Sequence, residues 1–249
     1  MVTQTTAEPS LATRALAELT GTFLLTFSLI GTAVYMGALP AKAPGVGDLG
    51  VALSLGLAVF VGGIAFGPIS GGHFNPAVTV GLASAGMFAW RRVIAYVVAQ
   101  VIGGIAGVQV VVAITSGAPD NYLARALDGG FASNGFDGNS PGGFDLGSVI
   151  ALEVVGTALF VVVIAGAISA SSDLGPLAIG LTLTLLVLIG LPVDNAGFNP
   201  ARSISTAIVA GDGWLGQVWV FVLFPLLGGA IGGLFSRVLR RTRSRGDLS

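Results

Sequence analysis

The stretch Gly71-Gly72-His73-Phe74-Asn75-Pro76-Ala77-Val78 decides the fold, and Ala196-Gly197-Phe198-Asn199-Pro200-Ala201-Arg202-Ser203 repeats its centre. Both stretches carry Phe-Asn-Pro-Ala after a loop that contains glycine. Asparagine is a good helix N-cap because its side chain accepts hydrogen bonds from the first turn, and proline suits the first helical position. Each stretch therefore predicts a loop that leads into the start of a helix.

The apolar runs that follow the two prolines are short, at about 76–85 and 200–210. Ten residues at a rise of ~1.5 Å span ~15 Å, about half of a ~30 Å hydrocarbon core. These runs therefore predict two re-entrant half-helices that enter the membrane from opposite faces. Their N-termini would meet near the midplane, with Asn75 beside Asn199.

The composition predicts an all-α protein that crosses a membrane several times. The mean hydropathy is +0.90, 53% of the residues are apolar and only 9% are charged. Five stretches contain no Asp, Glu, Lys or Arg: 49–90, 93–119, 154–172, 174–193 and 213–236. The absence of cysteine excludes disulfides and thiol catalysis. A net charge of -1 gives no reason to expect a nucleic-acid partner.

Six membrane spans are predicted within a single domain over 1–249. They lie at about 14–36, 50–68, 92–114, 147–168, 176–193 and 215–238. Residues 1–13 and 240–249 remain as tails. Eight of the eleven Lys and Arg residues would then share one face, namely Arg14, Arg91, Arg92, Arg237, Arg240, Arg241, Arg243 and Arg245. By the positive-inside rule that face is cytoplasmic and carries both termini, so we expect a cell-membrane protein.

The two halves of the chain, about 14–114 and 147–238, repeat each other. Glu18-Leu-Thr-Gly21-Thr22 matches Glu153-Val-Val-Gly156-Thr157, and Gly103-Gly104 matches Gly228-Gly229. Each half has three spans, an odd number, so the second half must be inverted relative to the first. Broken helices in an inverted repeat place the functional site at the repeat interface, where irregular backbone lines a wet cavity.

On these motifs the chain resembles the aquaporin (major intrinsic protein) family from about residue 14 to residue 237. Either Asn-Pro-Ala motif alone would be weak, but the pair inside a six-span inverted repeat is specific. In the long loop, Phe131-Ala132-Ser133-Asn134-Gly135 and Ser140-Pro141-Gly142-Gly143 resemble the Z-type water channels of bacteria. The resemblance implies the aquaporin fold, a passive channel without cofactor, metal or catalytic residue, and a homotetramer with one pore per subunit.

Three residues are the first candidates for the pore. Asn75 and Asn199 can cap the half-helices, donate to a permeating oxygen at the midplane, or do both. The positive dipole ends beside them would repel cations and interrupt a proton wire. Arg202 is a charge inside the membrane, which must be paired or wet. It is either an ion-pair member, with a loop carbonyl or Asp194, or the donor of an outer constriction, and the resemblance favours the constriction.

Other buried polar residues also have two interpretations. Glu18 and Glu153 are either proton-relay groups or braces that accept N–H groups from the re-entrant loops, and the resemblance supports bracing. The single histidine, His73, cannot form a metal site alone. It is either a loop residue near the inner mouth or a pH gate. Gly103, Gly107, Gly228 and Gly232 have the spacing of close helix packing.

The resemblance also implies which residues surround the pore. The family's outer constriction falls on Leu55, Val187, Ala196 and Arg202, and the pore-lining loop carbonyls fall on Gly71, Gly72, His73, Asn195 and Gly197. Strict water channels have an aromatic residue and a histidine at the first two constriction positions, where this chain has aliphatic ones. Glycerol facilitators have aspartate after the arginine, where this chain has Ser203. The set Leu, Val, Ala, Arg resembles nodulin-26-like and some archaeal members.

The prediction is therefore a channel for water and small uncharged solutes such as glycerol, ammonia and undissociated boric or arsenous acid. A strict water channel is the nearest alternative. A coupled secondary transporter is another, because that class also uses inverted repeats and broken helices. An intramembrane enzyme is disfavoured because one histidine and no cysteine leave no plausible catalytic set.

Overall fold

The computed structural model describes residues 8–37 and 47–246, and within these ranges the chain is helical. Its ten α-helices are α1 (Leu11–Gly37), α2 (Gly47–Ser70), α3 (Pro76–Ser84), α4 (Val93–Thr115), α5 (Tyr122–Asp128), α6 (Leu146–Ala170), α7 (Gly175–Asp194), α8 (Pro200–Ala210), α9 (Asp212–Leu215) and α10 (Val220–Gly246). Short 3₁₀ turns lie at Trp90–Arg92, Gly130–Ala132 and Asp137–Asn139. Of the tails predicted at 1–13 and 240–249, residues 1–7 and 247–249 lie outside the described ranges.

Six of the described helices are long and apolar enough to cross a membrane, which confirms the number of spans. They are α1, α2, α4, α6, α7 and α10. Their outward faces carry large apolar side chains such as Leu16, Ile94 and Leu185, as expected where lipid replaces water. The last helix continues beyond the predicted span end at 238 to Gly246. Arginine is a strong helix former, so the helix continues through the arginine-rich segment that follows the span.

The two half-helices form where the motifs predict them, as α3 and α8. In each, proline occupies the first turn and the preceding asparagine is the N-cap. The asparagine oxygen of Asn75 accepts from the Ala77 N–H at 2.8 Å, and that of Asn199 accepts from the Ala201 N–H at 3.0 Å. Neither half-helix is long enough to cross a bilayer, so both end inside it.

The paired glycines join the two halves of the molecule. A Cβ at Gly103 would lie 2.1 Å from the Leu19 carbonyl oxygen of α1, in the same half. A Cβ at Gly229 would lie 2.3 Å from the Ala77 carbonyl oxygen of α3, in the other half. Helix α4 therefore packs on α1 and on half-helix α8, whereas α10 packs on α6 and on half-helix α3. Each half-helix is held by the third span of the opposite repeat.

Contacts between loops separate two faces of the molecule. On one face Glu8 pairs with Arg14 at 3.1 Å and approaches Arg92 at 3.9 Å, and the Arg240 guanidinium donates to the Ala85 carbonyl. The long loop between α4 and α6 covers the opposite face, where the Ser140 hydroxyl donates to the Val193 carbonyl at 2.7 Å. The N-terminal and C-terminal helix ends thus share one face, the basic one.

Candidate pore

The phenylalanine of each Phe-Asn-Pro-Ala motif anchors the loop before its half-helix. Phe74 and Phe198 are buried and have left-handed backbone, with φ of 51° and 54°. A Cβ at Gly21 would lie 2.0 Å from the Phe74 ring, and one at Gly156 would lie 2.5 Å from the Phe198 ring. The repeated Glu-x-x-Gly-Thr segments therefore need glycine to leave room for these rings.

The two asparagines cross-link the half-helices at their N-termini. The Asn75 amide donates to the Phe198 carbonyl at 2.8 Å, and the Asn199 amide donates to the Phe74 carbonyl at 3.0 Å. Each side-chain oxygen is used as a helix cap, as described above. An amide NH₂ group has two donors, so one N–H of each asparagine remains available, and both residues line the same cavity.

That cavity, called the lumen below, has a volume of about 60 Å³. Its polar wall comes from the two loops and half-helix starts: Gly71, Gly72, His73, Asn75, Gly197, Asn199 and Arg202. Its apolar wall comes mainly from spanning helices: Leu25, Leu55, Val59, Val78, Leu82, Phe160, Ile164, Ile168, Ile179, Leu183 and Phe198. A file of water in this lumen therefore finds its hydrogen-bond partners on the loops and half-helix starts, because the spanning helices contribute only apolar side chains.

Two wider cavities lie on the two faces of the molecule, and one of them adjoins the lumen. The cavity on the basic face has about 750 Å³ and shares Gly71, Gly72 and His73 with the lumen. The cavity on the opposite face has about 360 Å³ and is lined by residues that include Arg125 and Asn195. It shares no lining residue with the lumen, but the carbonyl of its residue Asn195 accepts a hydrogen bond from Arg202, which lines the lumen. The lumen thus opens into a wide mouth on the basic face.

Glu18 holds the first re-entrant loop through four donors. Its carboxylate accepts from the Ser70 hydroxyl at 2.6 Å and from the backbone N–H groups of His73 at 3.0 Å and Phe74 at 2.7 Å. The Gln100 amide supplies the fourth, at 2.7 Å. All four lone-pair regions of the buried carboxylate are thereby used, which is the arrangement that bracing requires. The sequence predicted the brace and missed Gln100.

His73 lies where the lumen opens into the cavity on the basic face. Its Nδ1 is 3.1 Å from the Thr79 hydroxyl, and its ring packs edge-on against Phe88 and obliquely against Tyr96. The side chain is held on both sides and only 8% exposed. Its position at this mouth is compatible with the loop-residue interpretation, and the same position leaves the gate interpretation open as a prediction.

Glu153 holds the second loop differently. One oxygen accepts from the Phe198 N–H at 2.8 Å, whereas Glu153 Oε1 has no hydrogen-bond partner among the described residues. The carboxyl group of Asp194 faces it at hydrogen-bonding range. Asp194 accepts from the Ala196 N–H at 2.9 Å, and its Oδ2 likewise has no partner within the described ranges.

The Arg202 guanidinium is buried and fixed by polar groups of the second loop and the long loop. It donates to the Asn134 side-chain oxygen at 2.7 Å and to the Asn195 carbonyl at 2.9 Å. Among the described residues its ion pair with Asp194 does not form at 4.0 Å or less, so the loop-carbonyl partner of the sequence prediction is the one observed. Asn134 also accepts from the Ser203 hydroxyl at 2.8 Å. The arginine therefore lines the lumen from a fixed position.

Comparison with known proteins gives the family. A family model described as "Major intrinsic protein" matches residues 5–236. Aquaporin Z of Photorhabdus laumondii is 47% identical over 225 residues, which cover 90% of this chain and 95% of that protein. Aquaporin Z of Rhodopseudomonas palustris is 45% identical over 226 residues, with 90% and 92% covered. The chain belongs to the major intrinsic protein family.

The aquaporin fold is also found in a solved structure. The X-ray structure of the aquaglyceroporin from Plasmodium falciparum matches with a TM-score of 0.78 and 20% identity, covering 96% of this chain and 100% of that one. The all-α fold with six spans and two half-helices is thereby confirmed. As a member of this family the protein is a passive membrane channel and not an enzyme.

The four residues that the sequence predicts for the outer constriction are arranged unequally around the lumen. Leu55 and Arg202 line it, whereas Val187 and Ala196 are buried beside it and are 0% and 1% exposed. Leu183, one turn before Val187, also lines the lumen. The sequence missed Leu183 because counting from a motif does not show which turn of a helix faces inward. It also missed Asn134 as the partner of Arg202, although this residue lies in the quoted Phe-Ala-Ser-Asn-Gly segment.

Proposed function

We propose that the pore conducts water together with small uncharged solutes, such as glycerol, ammonia and undissociated boric or arsenous acid, and excludes ions and protons. The observation that carries the proposal is the lumen itself. It is narrow, its hydrogen-bonding groups come from the two loops and the half-helix starts, and the rest of its surface is apolar. Neutral molecules with one hydrogen-bonding side fit such a surface, whereas a charged solute would lose hydration without replacement.

Exclusion of cations follows from the position of the N-termini of the two half-helices. Each helix N-terminus carries roughly half an elementary positive charge, and this charge is little screened in a narrow pore. Asn75 and Asn199 bring the two ends together. A cation or hydronium at the midplane would meet both positive ends at once. A water there would turn its oxygen to the free N–H groups, which interrupts the proton wire.

The breadth of the solute range follows from the aliphatic residues of the outer constriction. Leu55 and Val187 take the places of an aromatic residue and a histidine. Both substitutions remove bulk, and the second also removes a hydrogen-bonding group. Arg202 is then the single strong donor at this level, with Ala196 on the second loop. The relatives' name, Aquaporin Z, supports water conduction, and the constriction supports the wider range.

The test is stopped-flow light scattering on proteoliposomes, with water, glycerol and urea measured in parallel. The Leu55→Phe plus Val187→His double variant rebuilds the constriction of a strict water channel. We expect glycerol permeability to fall about tenfold, since ~1.4 kcal/mol of added barrier is enough, while water permeability stays within about twofold. Leu185→Phe, on a lipid-facing residue that is 62% exposed, is the matched control and should change neither.

Three results would contradict this proposal in different ways. Glycerol permeability at the level of protein-free liposomes in the unmodified channel would favour the strict water channel. If the double variant changed neither the water permeability nor the glycerol permeability, Leu55 and Val187 would not form the constriction. A proton current equal to the water flux would overturn the whole mechanism.

The assembly and its setting belong to the same proposal. The single channel domain of 1–249 sits in the cell membrane as a homotetramer, with one pore per subunit and both termini in the cytoplasm. The basic face, which carries Arg14, Arg92 and Arg240, supports this orientation. The loop residues Gly71, Gly72, His73, Asn195 and Gly197 present carbonyls to the solute path, and Glu18 and Glu153 brace the two loops.

A further inference from the structure

The second repeat contains a pair of buried acids that the first repeat lacks. Glu153 and Asp194 are both 0% exposed, and their carboxyl groups face each other. Within the described part of the chain, Glu153 Oε1 and Asp194 Oδ2 are each without a hydrogen-bond partner. A buried acceptor without a donor costs ~1–3 kcal/mol. Two adjacent buried carboxylates, moreover, cannot both ionise without strong repulsion. A single proton between the two oxygens removes both penalties.

Comparison of the two repeats shows why a proton is needed here. Asp194 and Ser70 occupy equivalent positions, each as the last residue of its repeat's second span and five residues before the motif asparagine. The Ser70 hydroxyl donates a hydrogen bond to the Glu18 carboxylate at 2.6 Å. An ionised Asp194 has no proton to donate to Glu153. The same hydrogen bond therefore forms in the second repeat only when the acid pair has taken up a proton.

The surrounding charges also favour one proton. From α8, Arg202 faces the pair, while α6 and α7 contribute Glu153 and Asp194 themselves. Helix α10 and half-helix α3, which pack on α6, have no ionisable residue over 220–236 and 76–84. Helix α2, which packs on α7, has Asp48 alone, exposed in its first turn, and the long loop contributes the neutral Asn134. With one shared proton, the pair and Arg202 together are neutral. With no proton the cluster is negative, and with two it is positive, both of which are unfavourable in a buried site.

We propose that Glu153 and Asp194 share one proton, and that Asp194 is thereby the positioning residue of the outer constriction. Asp194 accepts the Ala196 N–H, and its carbonyl accepts the Asn134 amide at 2.9 Å. Ala196 belongs to the constriction, and Asn134 holds Arg202. Loss of the proton places two negative charges behind this loop. Arg202 is then attracted away from the lumen towards the acids, and the constriction loses its donor.

The proton can be observed by infrared spectroscopy on the intact channel in lipid. A protonated carboxylic acid has a C=O stretch that ionised carboxylates lack, and exposed acids are ionised at neutral pH. We expect one protonated carboxyl per chain in the unmodified channel and none in Asp194→Asn, whose amide can donate to an ionised Glu153. Asp194→Ser copies the first repeat and should give the same loss. Asp173→Asn, on an exposed acid of the opposite face, should keep the infrared band of this C=O stretch.

The positioning role has a separate readout in the pH profile of water permeability. At alkaline pH the pair loses its proton and the C=O band disappears. We then expect the water permeability of the unmodified channel to change by at least about twofold, because the uncompensated buried charge attracts Arg202. Asp194→Ser and Asp194→Asn should have flat profiles over the same range, and Asp173→Asn should follow the unmodified channel.

The outcomes separate the parts of the inference. A missing band, or a band that survives in Asp194→Asn, overturns the shared proton. A band that persists at every pH, or a permeability that ignores its loss, overturns the positioning role. Only the permeability arm rests on the proposed function. An unmodified channel that conducts no water would refute that function, while the infrared result would still decide whether the proton is shared.

Discussion

At the scale of single residues, one asparagine side chain performs several tasks in each half of the pore. The side-chain oxygen of Asn199 caps α8, and its amide N–H donates a hydrogen bond to the Phe74 carbonyl of the other repeat. The remaining N–H is available to the lumen. Capping and pore lining are therefore not alternatives, since capping fixes the rotamer that aims the amide. Asn75 repeats the arrangement in the first half.

The substitution Asn199→Asp tests the electrostatic role of this side chain. An aspartate keeps the capping oxygen, so the half-helix should still form. Its negative charge offsets the positive helix ends, and the cross-link to the Phe74 carbonyl is lost. We expect cation or proton conductance to rise at least about tenfold above the unmodified channel, because the removed barrier exceeds ~1.4 kcal/mol. The measurement is ion current or dye-reported proton flux in proteoliposomes.

Asn121→Asp provides the matched control for that variant. Asn121 is an exposed asparagine in the long loop, so the same change of charge occurs far from the lumen. It should leave the ion flux at the level of the unmodified channel. Equal leaks in both variants, or none in Asn199→Asp, would mean that the half-helix ends do not provide the barrier.

At the scale of helices, glycine decides how closely the elements approach. The two adjacent glycines of α10 face different neighbours, Gly228 towards α6 and Gly229 towards α3. The pair Gly103-Gly104 does the same in α4, towards α1 and α8. Such pairs hold a half-helix most of whose residues are buried. The small-residue spacing that the sequence predicted as packing is confirmed by these contacts.

The variant Gly229→Ala tests the packing of half-helix α3. The added methyl group would meet the Ala77 carbonyl oxygen at 2.3 Å, which is backbone and cannot rotate away. We expect a lower unfolding temperature in detergent, equivalent to ~1–3 kcal/mol of overpacking, and a lower water permeability. Gly166→Ala is the control, because a Cβ there meets no described atom within 4 Å. It should be neutral or stabilising by ~0.5–1 kcal/mol, since alanine favours helix.

At the scale of the whole molecule, the odd number of spans in each repeat sets the topology. The segment after α4 and the turn after α6 must lie on opposite sides of the membrane. Each carries an exposed serine, Ser116 and Ser172. The chain contains no cysteine, so a single introduced thiol can be labelled without background.

The topology is tested by Ser116→Cys and Ser172→Cys in intact cells treated with a membrane-impermeant thiol reagent. We expect labelling of Ser116→Cys in intact cells, and labelling of Ser172→Cys only after the membrane is permeabilised. The two variants control for each other, because the residue type and the exposure class are the same. Labelling of Ser172→Cys alone in intact cells would invert the proposed orientation.

The sequence by itself determined the six spans, the two half-helices, their caps and the inverted order of the repeats. These features follow from local properties: the length of an apolar run, the preference of asparagine and proline for a helix start, and the position of arginines. Glu18 as a brace was also within reach, because a buried carboxylate must find donors.

Only the tertiary structure decided which side chains meet. Leu183 lines the lumen, Asn134 holds Arg202, and Asp194 faces Glu153. Each of these contacts joins residues from separate elements, and its existence depends on the rotation and separation of whole helices. No local preference encodes those quantities. They are fixed by close packing at positions such as Gly229, where two backbones touch.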